Sequence, residues 1–195
     1  NNIIYLIPFY ILGAFPSGRL LGTIYGERVS QHGSGNIGAT NVARVLGWRA
    51  GFTTLLLDLS KGLLAAWIGN TFWPEQLLGS LCGLAAVLGH CFSIPGYFKG
   101  GKGVATSLGV FIFFSPQSAL LGILVFIFVY MQKKIVSLSS VIAAFVIPLS
   151  IMFLREEEFI FKVSFLISAL VIFRHKENLT RLVRGEESMF KAGRD

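Results

Sequence analysis

Phe111-Ile-Phe-Phe-Ser115-Pro116-Gln117-Ser118-Ala-Leu-Leu121 decides how this chain is threaded. It interrupts an apolar run from 101 to 131, which is either one long kinked helix or two short helices meeting at a corner. A membrane-spanning helix needs about 20 apolar residues, fewer where the bilayer thins. Further candidates are roughly 3 to 25, 50 to 72, 76 to 92, 137 to 154 and 158 to 174. Charge separates the two threadings. With a corner there are spans at 101 to 115 and 118 to 131, seven in all, and alternate connections gather thirteen Lys and Arg on one side against Arg155 alone on the other. A single kinked helix scatters the same residues six against eight, which leaves the positive-inside rule nothing to act on. The sequence therefore predicts an all-α polytopic membrane protein with seven transmembrane helices, N-terminus outside and C-terminus cytoplasmic, residues 1–195 forming one domain.

Composition agrees. Of 195 residues 53% are hydrophobic, 18 are Phe and only 14% are charged, far too apolar for a soluble domain of this length. A net charge of +7 would point to nucleic acid in a soluble protein, but here the basic residues sit in short loops, where they set orientation and meet anionic lipids or substrates. Cys82 and Cys91 lie in one apolar run, about 13 Å apart if helical, so they cannot bridge each other within that helix and read as core thiols. The start, Asn1-Asn2-Ile-Ile, lacks a basic leader and a clear cleavage site, so the first run reads as a retained span.

Three polar stretches fall on the cytoplasmic face of this threading. The first is Gly96-Tyr-Phe-Lys99-Gly100-Gly101-Lys102-Gly103-Val-Ala-Thr106-Ser107. Glycines let consecutive N–H groups point at one ligand, and the helix that follows turns its positive end to the same spot, which makes an anion site. The spacing misses a P-loop, because Gly103 stands where Ser or Thr would hold magnesium, so a small phosphate fits better than a nucleotide. A tight turn with two solvated lysines has the same composition. The second is Gln31-His32-Gly33-Ser34-Gly35-Asn36-Ile37-Gly38-Ala39-Thr40-Asn41-Val42-Ala43-Arg44, which interleaves hydrogen-bonding side chains with glycine and adds a guanidinium fork suited to phosphate. A polar turn with a helix cap is the plainer alternative. The third runs from Arg174 to Glu187: if the last helix continues, His175 and Asn178 share a face, as do Asn178 and Arg181. A basic amphipathic helix on anionic headgroups explains its charge equally well.

Smaller features are read structurally. His32, His90 and His175 lack i, i+4 pairing and a clustered carboxylate, so no metal site is expected. Asp58 and Lys61, three apart inside the second span, read as an internal ion pair that locks helix packing. Ser137 reads as an N-cap for the sixth helix.

Taken together, Ser34 to Arg44, Gly89 to Thr106 and Arg174 to Glu187 resemble the three motifs of the PlsY family, the bacterial acyl-phosphate-dependent glycerol-3-phosphate acyltransferases. The order and the seven-span threading match over the full length. The resemblance implies that Ser34 and Arg44 are essential, that Lys99 to Thr106 form a phosphate-binding loop, that His175 and Asn178 act in catalysis, and that Glu187 serves structural integrity. On this basis Ser34, Arg44, Lys102, His175 and Asn178 are the expected catalytic set. Lys99, Gly100, Gly101, Gly103, Thr106, Asn36 and Arg181 are expected to bind substrate phosphate, and Glu187, Asp58 and Lys61 to be structural. One departure is Ser93, where the family usually has Pro, which touches no assigned role.

The implied reaction transfers a fatty acyl group from acyl phosphate to the 1-hydroxyl of glycerol 3-phosphate, giving lysophosphatidic acid and phosphate in the bacterial inner membrane without a cofactor. An acyl phosphate carries a good leaving group, so positioning and charge stabilisation are the protein's main tasks. No His has Asp five positions on, so the pair used by acyl-CoA-dependent acyltransferases is absent. The proton acceptor is either His175 or a substrate phosphate oxygen. Membrane lipid and a peripheral enzyme that produces acyl phosphate are the implied partners, nucleic acid is not, and an anion or organophosphate transporter is the rival reading.

Overall fold

The computed structural model describes residues 2–73, 76–93, 100–154 and 156–193, and among them every regular element is helical. The helices are α1 (Ile7–Ala14), α2 (Ser17–Ile24), α3 (Ala39–Leu46), α4 (Trp48–Phe72), α5 (Gln76–Phe92), α6 (Val104–Phe114), α7 (Pro116–Lys133), α8 (Val136–Phe153), α9 (Glu158–Arg174) and α10 (Lys176–Val183). Among the described residues four stretches are long and apolar enough to cross a membrane, namely Ile4–Ile24, Trp48–Phe72, Pro116–Lys133 and Val136–Phe153, while Leu77–Phe92 and Val104–Phe114 are shorter apolar helices.

The corner at Ser115 is present. Its backbone leaves the helical region at φ −148°, ψ 75°, and Pro116 opens α7, where a missing N–H costs nothing. The Ser115 hydroxyl donates to Glu156 Oε1 at 2.6 Å, fastening the α6–α7 corner to the α8–α9 connection. At the far end of these helices the α7–α8 turn, the start of α6 and the residues after α9 come together, as the site contacts below show.

Two breaks interrupt the helical path, the first of them inside a run expected to be continuous. The first run divides at Phe15-Pro16, where the proline ring cannot continue α1 and leaves carbonyls without partners. Lys61 of α4 supplies them: its Nζ donates to the carbonyls of Phe15 at 2.8 Å and Gly13 at 3.4 Å, and pairs with Asp58 Oδ1 at 2.7 Å. The ion pair read from the sequence is thus present, and it also caps a broken helix. The second break falls at His175, which separates α9 from α10. Ser137 is not an N-cap: α8 begins one residue earlier, and the Ser137 hydroxyl donates to Glu187 Oε1 at 2.7 Å instead.

Packing relies on small residues. A Cβ on Gly62 would fall 1.9 Å from the Thr106 carbonyl oxygen, and one on Gly109 would fall 2.0 Å from that of Leu59, so α4 and α6 touch backbone to backbone, as helices in lipid do. Val87, Val110, Ile147, Ile151, Ile167 and Val171 fill the largest core between α5, α6, α8 and α9. Phe128, Phe145 and Phe165 instead point outward. This apolar outer surface suits lipid.

Candidate active site

The loop from Val29 to Gly38 is built around one buried side chain, Asn41, in the first turn of α3. Its Oδ1 accepts the Ser34 N–H at 2.8 Å, and its Nδ2 donates to the carbonyls of Asn36 at 2.8 Å and of Val29 and His32, each at 3.0 Å. The backbone can wrap an amide this tightly only because Gly33 and Gly35 adopt φ +60° and +68°. Asn36 Oδ1 accepts the Gly38 N–H at 2.8 Å, so that side chain shapes the entry to α3.

The second loop is held from outside. Arg174, at the end of α9, donates from Nε to the Gly101 carbonyl and from Nη2 to the Gly100 carbonyl, both at 3.1 Å. The Gly101 N–H donates to the His90 carbonyl at 2.9 Å. A Cβ on Gly101 would lie 2.1 Å from His90 Nε2, and one on Gly100 would lie 2.0 Å from the Cys91 carbonyl oxygen. These two glycines are required by packing against the end of α5. Gly103, at φ +82°, turns the chain into α6. Lys99 lies outside the described residues.

The third element supplies the side chains that meet these loops. His175 Nδ1 donates to the Val171 carbonyl at 2.8 Å, which fixes the tautomer and leaves Nε2 with its lone pair. Burial pushes the His175 imidazole down to about 4, against the pull of that hydrogen bond, so it is neutral at pH 7. Lys102 Nζ donates to Asn178 Oδ1 and Asn178 Nδ2 to Glu187 Oε1, each at 2.5 Å, while Arg181 Nε donates to Glu187 Oε2 at 2.7 Å. Burial, with Arg181 and Arg44 nearby and Glu187 opposing them, lowers the Lys102 ammonium to about 8. Burial raises the Glu187 carboxyl, but hydrogen bonds from Ser137, Asn178 and Arg181 outweigh it and hold the group below the usual carboxylate range.

All three elements open on one cavity of about 630 Å³. Ser34, Asn36, Arg44, Asp58, Lys102, Gly103, His175, Asn178, Arg181 and Glu187 line it. Gly100, Gly101, Thr106 and Lys61 do not: the glycines pack on α5, Thr106 is buried against Gly62, and Lys61 is turned toward the broken end of α1. The first residues of α3 and of α6 both border the cavity, so two helix N-termini and the cations Arg44, Lys102 and Arg181 face one space. Such a space binds anions, phosphates above all. Leu55 and Phe126 give it an apolar side. The sequence reading passed over Asn41, His90 and Arg174 as site builders. Asn41 stands within a motif, but its four loop contacts follow from no spacing rule, and Arg174 reaches carbonyls 73 and 74 residues away.

Comparison with known proteins agrees with this geometry. The family model described as glycerol-3-phosphate acyltransferase matches residues 3–185. The chain is 43% identical over 191 residues to the glycerol-3-phosphate acyltransferase of Geotalea daltonii, covering 98% of each chain. It is 42% identical to that of Fusobacterium nucleatum, covering 96% of this chain and 97% of the relative. Crystal structures of PlsY, an integral membrane glycerol 3-phosphate acyltransferase, superpose with TM-scores of 0.92 for the glycerol 3-phosphate form and 0.90 for the lysophosphatidic acid form. Both are 37% identical to this chain; the first comparison covers 97% of this chain and 95% of the other. The chain is therefore a multi-pass integral membrane protein and belongs to the PlsY family of glycerol-3-phosphate acyltransferases.

Proposed function

We propose that this chain transfers an acyl group from acyl phosphate to the 1-hydroxyl of glycerol 3-phosphate, releasing lysophosphatidic acid and phosphate at the cytoplasmic face of the bacterial inner membrane. The observation that carries this reading is the pair of helix N-termini, α3 and α6, opening together with Lys102 on one cavity. Both proposed substrates carry a phosphate, and two such ends provide for two. The apolar side at Leu55 and Phe126 suits an acyl chain. Family membership favours this over the transporter. The threading proposed with it has seven spans: α1 with α2, then α4 to α9, with the cavity on the basic, cytoplasmic side.

The hydroxyl oxygen attacks the acyl carbon, the bond from that carbon to the bridging phosphate oxygen breaks, and phosphate departs. The hydroxyl proton ends on phosphate oxygen, because an imidazole near 4 does not keep a proton at neutral pH. His175 Nε2 orients the hydroxyl as a hydrogen-bond acceptor. Lys102 and Asn178 stabilise developing negative charge, and Arg44, Arg181 and the N–H groups following Gly38 and Gly103 bind phosphate. Ser34, held by Asn41, offers its hydroxyl to the same anions. Lys99 belongs to this proposed phosphate loop, while Glu187 keeps Asn178 and Arg181 in place.

The test uses sealed vesicles bearing the purified protein, palmitoyl phosphate and labelled glycerol 3-phosphate. Lysophosphatidic acid should form without added metal, only when glycerol 3-phosphate reaches the basic face. Equal rates with palmitoyl-CoA would exclude the donor assignment, and activity from the opposite face would exclude the orientation.

A further inference from the structure

After α10 the chain turns at Gly185, at φ +71°, and Glu187 and Ser188 pass along the cavity. It then makes two long-range anchors. The Phe190 N–H donates to the Lys134 carbonyl in the α7–α8 turn, and the Gly193 N–H donates to the Ala43 carbonyl in the last turn of α3, both at 2.9 Å. This stretch straps one wall of the cavity to another. At the first anchor the Phe190 ring lies against the Arg44 guanidinium, with Cζ 5.8 Å from the ring centroid.

Arg44 differs from the other guanidinium groups of the site. Arg181 is spent on Glu187, and Arg174 on the carbonyls of Gly100 and Gly101. Among the described residues no carboxylate pairs with Arg44. A long side chain whose fork has no protein partner would sample many rotamers. A ring against the guanidinium removes much of that freedom, and a contact of this kind offers the fork no competing acceptor oxygen, so its donors serve a ligand.

We propose that Phe190 is a positioning residue for Arg44: the strap after α10 holds the ring that orients the guanidinium toward substrate phosphate. The inference rests on the reading of Arg44 as a phosphate ligand. Phe190→Leu keeps apolar bulk at the strap but removes the π face, and Phe190→Trp keeps that face. In the acylation assay Phe190→Leu should raise KM for one of the two phosphate-bearing substrates about fivefold, with kcat and melting temperature near the parent, and Phe190→Trp should restore KM. In an Arg44→Ala background Phe190→Leu should add nothing, because the two act as one unit. A lowered melting temperature and kcat with unchanged KM would make the strap structural and overturn the proposal. If Arg44→Ala raises KM while Phe190→Leu does not, the positioning role fails alone; if Arg44→Ala leaves both KM values unchanged, the phosphate-ligand reading fails with it.

Discussion

The two glycine-rich loops look alike in sequence and are built on opposite principles. The loop before α3 is organised from within: one buried amide, Asn41, gathers three carbonyls and one N–H, and positive-φ glycines let the chain close around it. The loop before α6 is organised from without, by Arg174 gripping two carbonyls and by His90 accepting an N–H while its ring fills the space a side chain would need. Glycine is therefore a conformational requirement at Gly35 and a steric one at Gly100 and Gly101, while Gly33 and Gly103 carry both. The functional consequence differs too. An internally tied loop keeps Ser34 in place as a unit, whereas an externally clamped one transmits any shift of α5 or α9 to Lys102.

The largest effect should come from breaking the steric requirement. Gly101→Ala puts a methyl group 2.1 Å from the His90 ring, whose neighbours Asp58 and Lys61 are themselves buried, so nothing nearby yields cheaply. Overpacking of this kind costs about 3 kcal/mol or more. Gly35→Ala meets only the Ser30 carbonyl, at 3.4 Å, and should cost about 1 kcal/mol for its left-handed backbone. Melting temperatures of the two variants in lipid give the comparison, and equal losses would erase the distinction between the loops.

A smaller contrast tests the ties themselves. Asn41→Ala strands a buried N–H and three carbonyls, and should destabilise the protein by about 1–3 kcal/mol while cutting activity through Ser34. Arg174→Lys keeps the charge but loses the fork that reaches two carbonyls at once, for about 1 kcal/mol, and should act mainly on KM for a phosphate substrate. If Arg174→Lys lowers the melting temperature as much as Asn41→Ala, the outer clamp is as structural as the inner hub.

Local chemistry made much of this legible. Pro116 after Ser115 marked the corner between α6 and α7, and the same rule, not applied to Pro16, would have found the break after α1. The three motifs placed Ser34, Arg44, Lys102, His175 and Asn178 on one face, and all five line one cavity. Asn36, Arg181 and Glu187 border it too. The packing of Gly100 and Gly101 on α5 was not legible, because glycine frees a backbone to approach a ligand and also lets two backbones approach each other, and sequence carries no sign of which. Lys61 shows the same limit: its partner Asp58 is three residues away and visible, but the carbonyls it caps lie 46 and 48 residues away and exist only because another helix is broken. Contacts of that separation follow from packing, not from spacing.

The effect expected to be smallest on stability, and therefore read in rates, concerns what the clamped loop delivers, the charge of Lys102. With its ammonium lowered to about 8, Lys102 is cationic at neutral pH and loses its proton as pH rises through 8, so kcat/KM for glycerol 3-phosphate should fall about tenfold per unit on the alkaline side. His175 gives no limb near its usual value, since it is already neutral above about 4, and an acid limb near 6 belongs to the second ionisation of the substrate phosphate. Lys102→Arg replaces the ammonium by a guanidinium that stays charged above pH 12. It should lower the rate at neutral pH, because a planar fork does not reproduce the Lys102–Asn178 contact. The shape is the informative part: the alkaline limb should move beyond pH 9.5 while the acid limb stays in place. An alkaline limb that remains near 8 in Lys102→Arg would mean that another group titrates there, and Lys102 would be left with a binding role only.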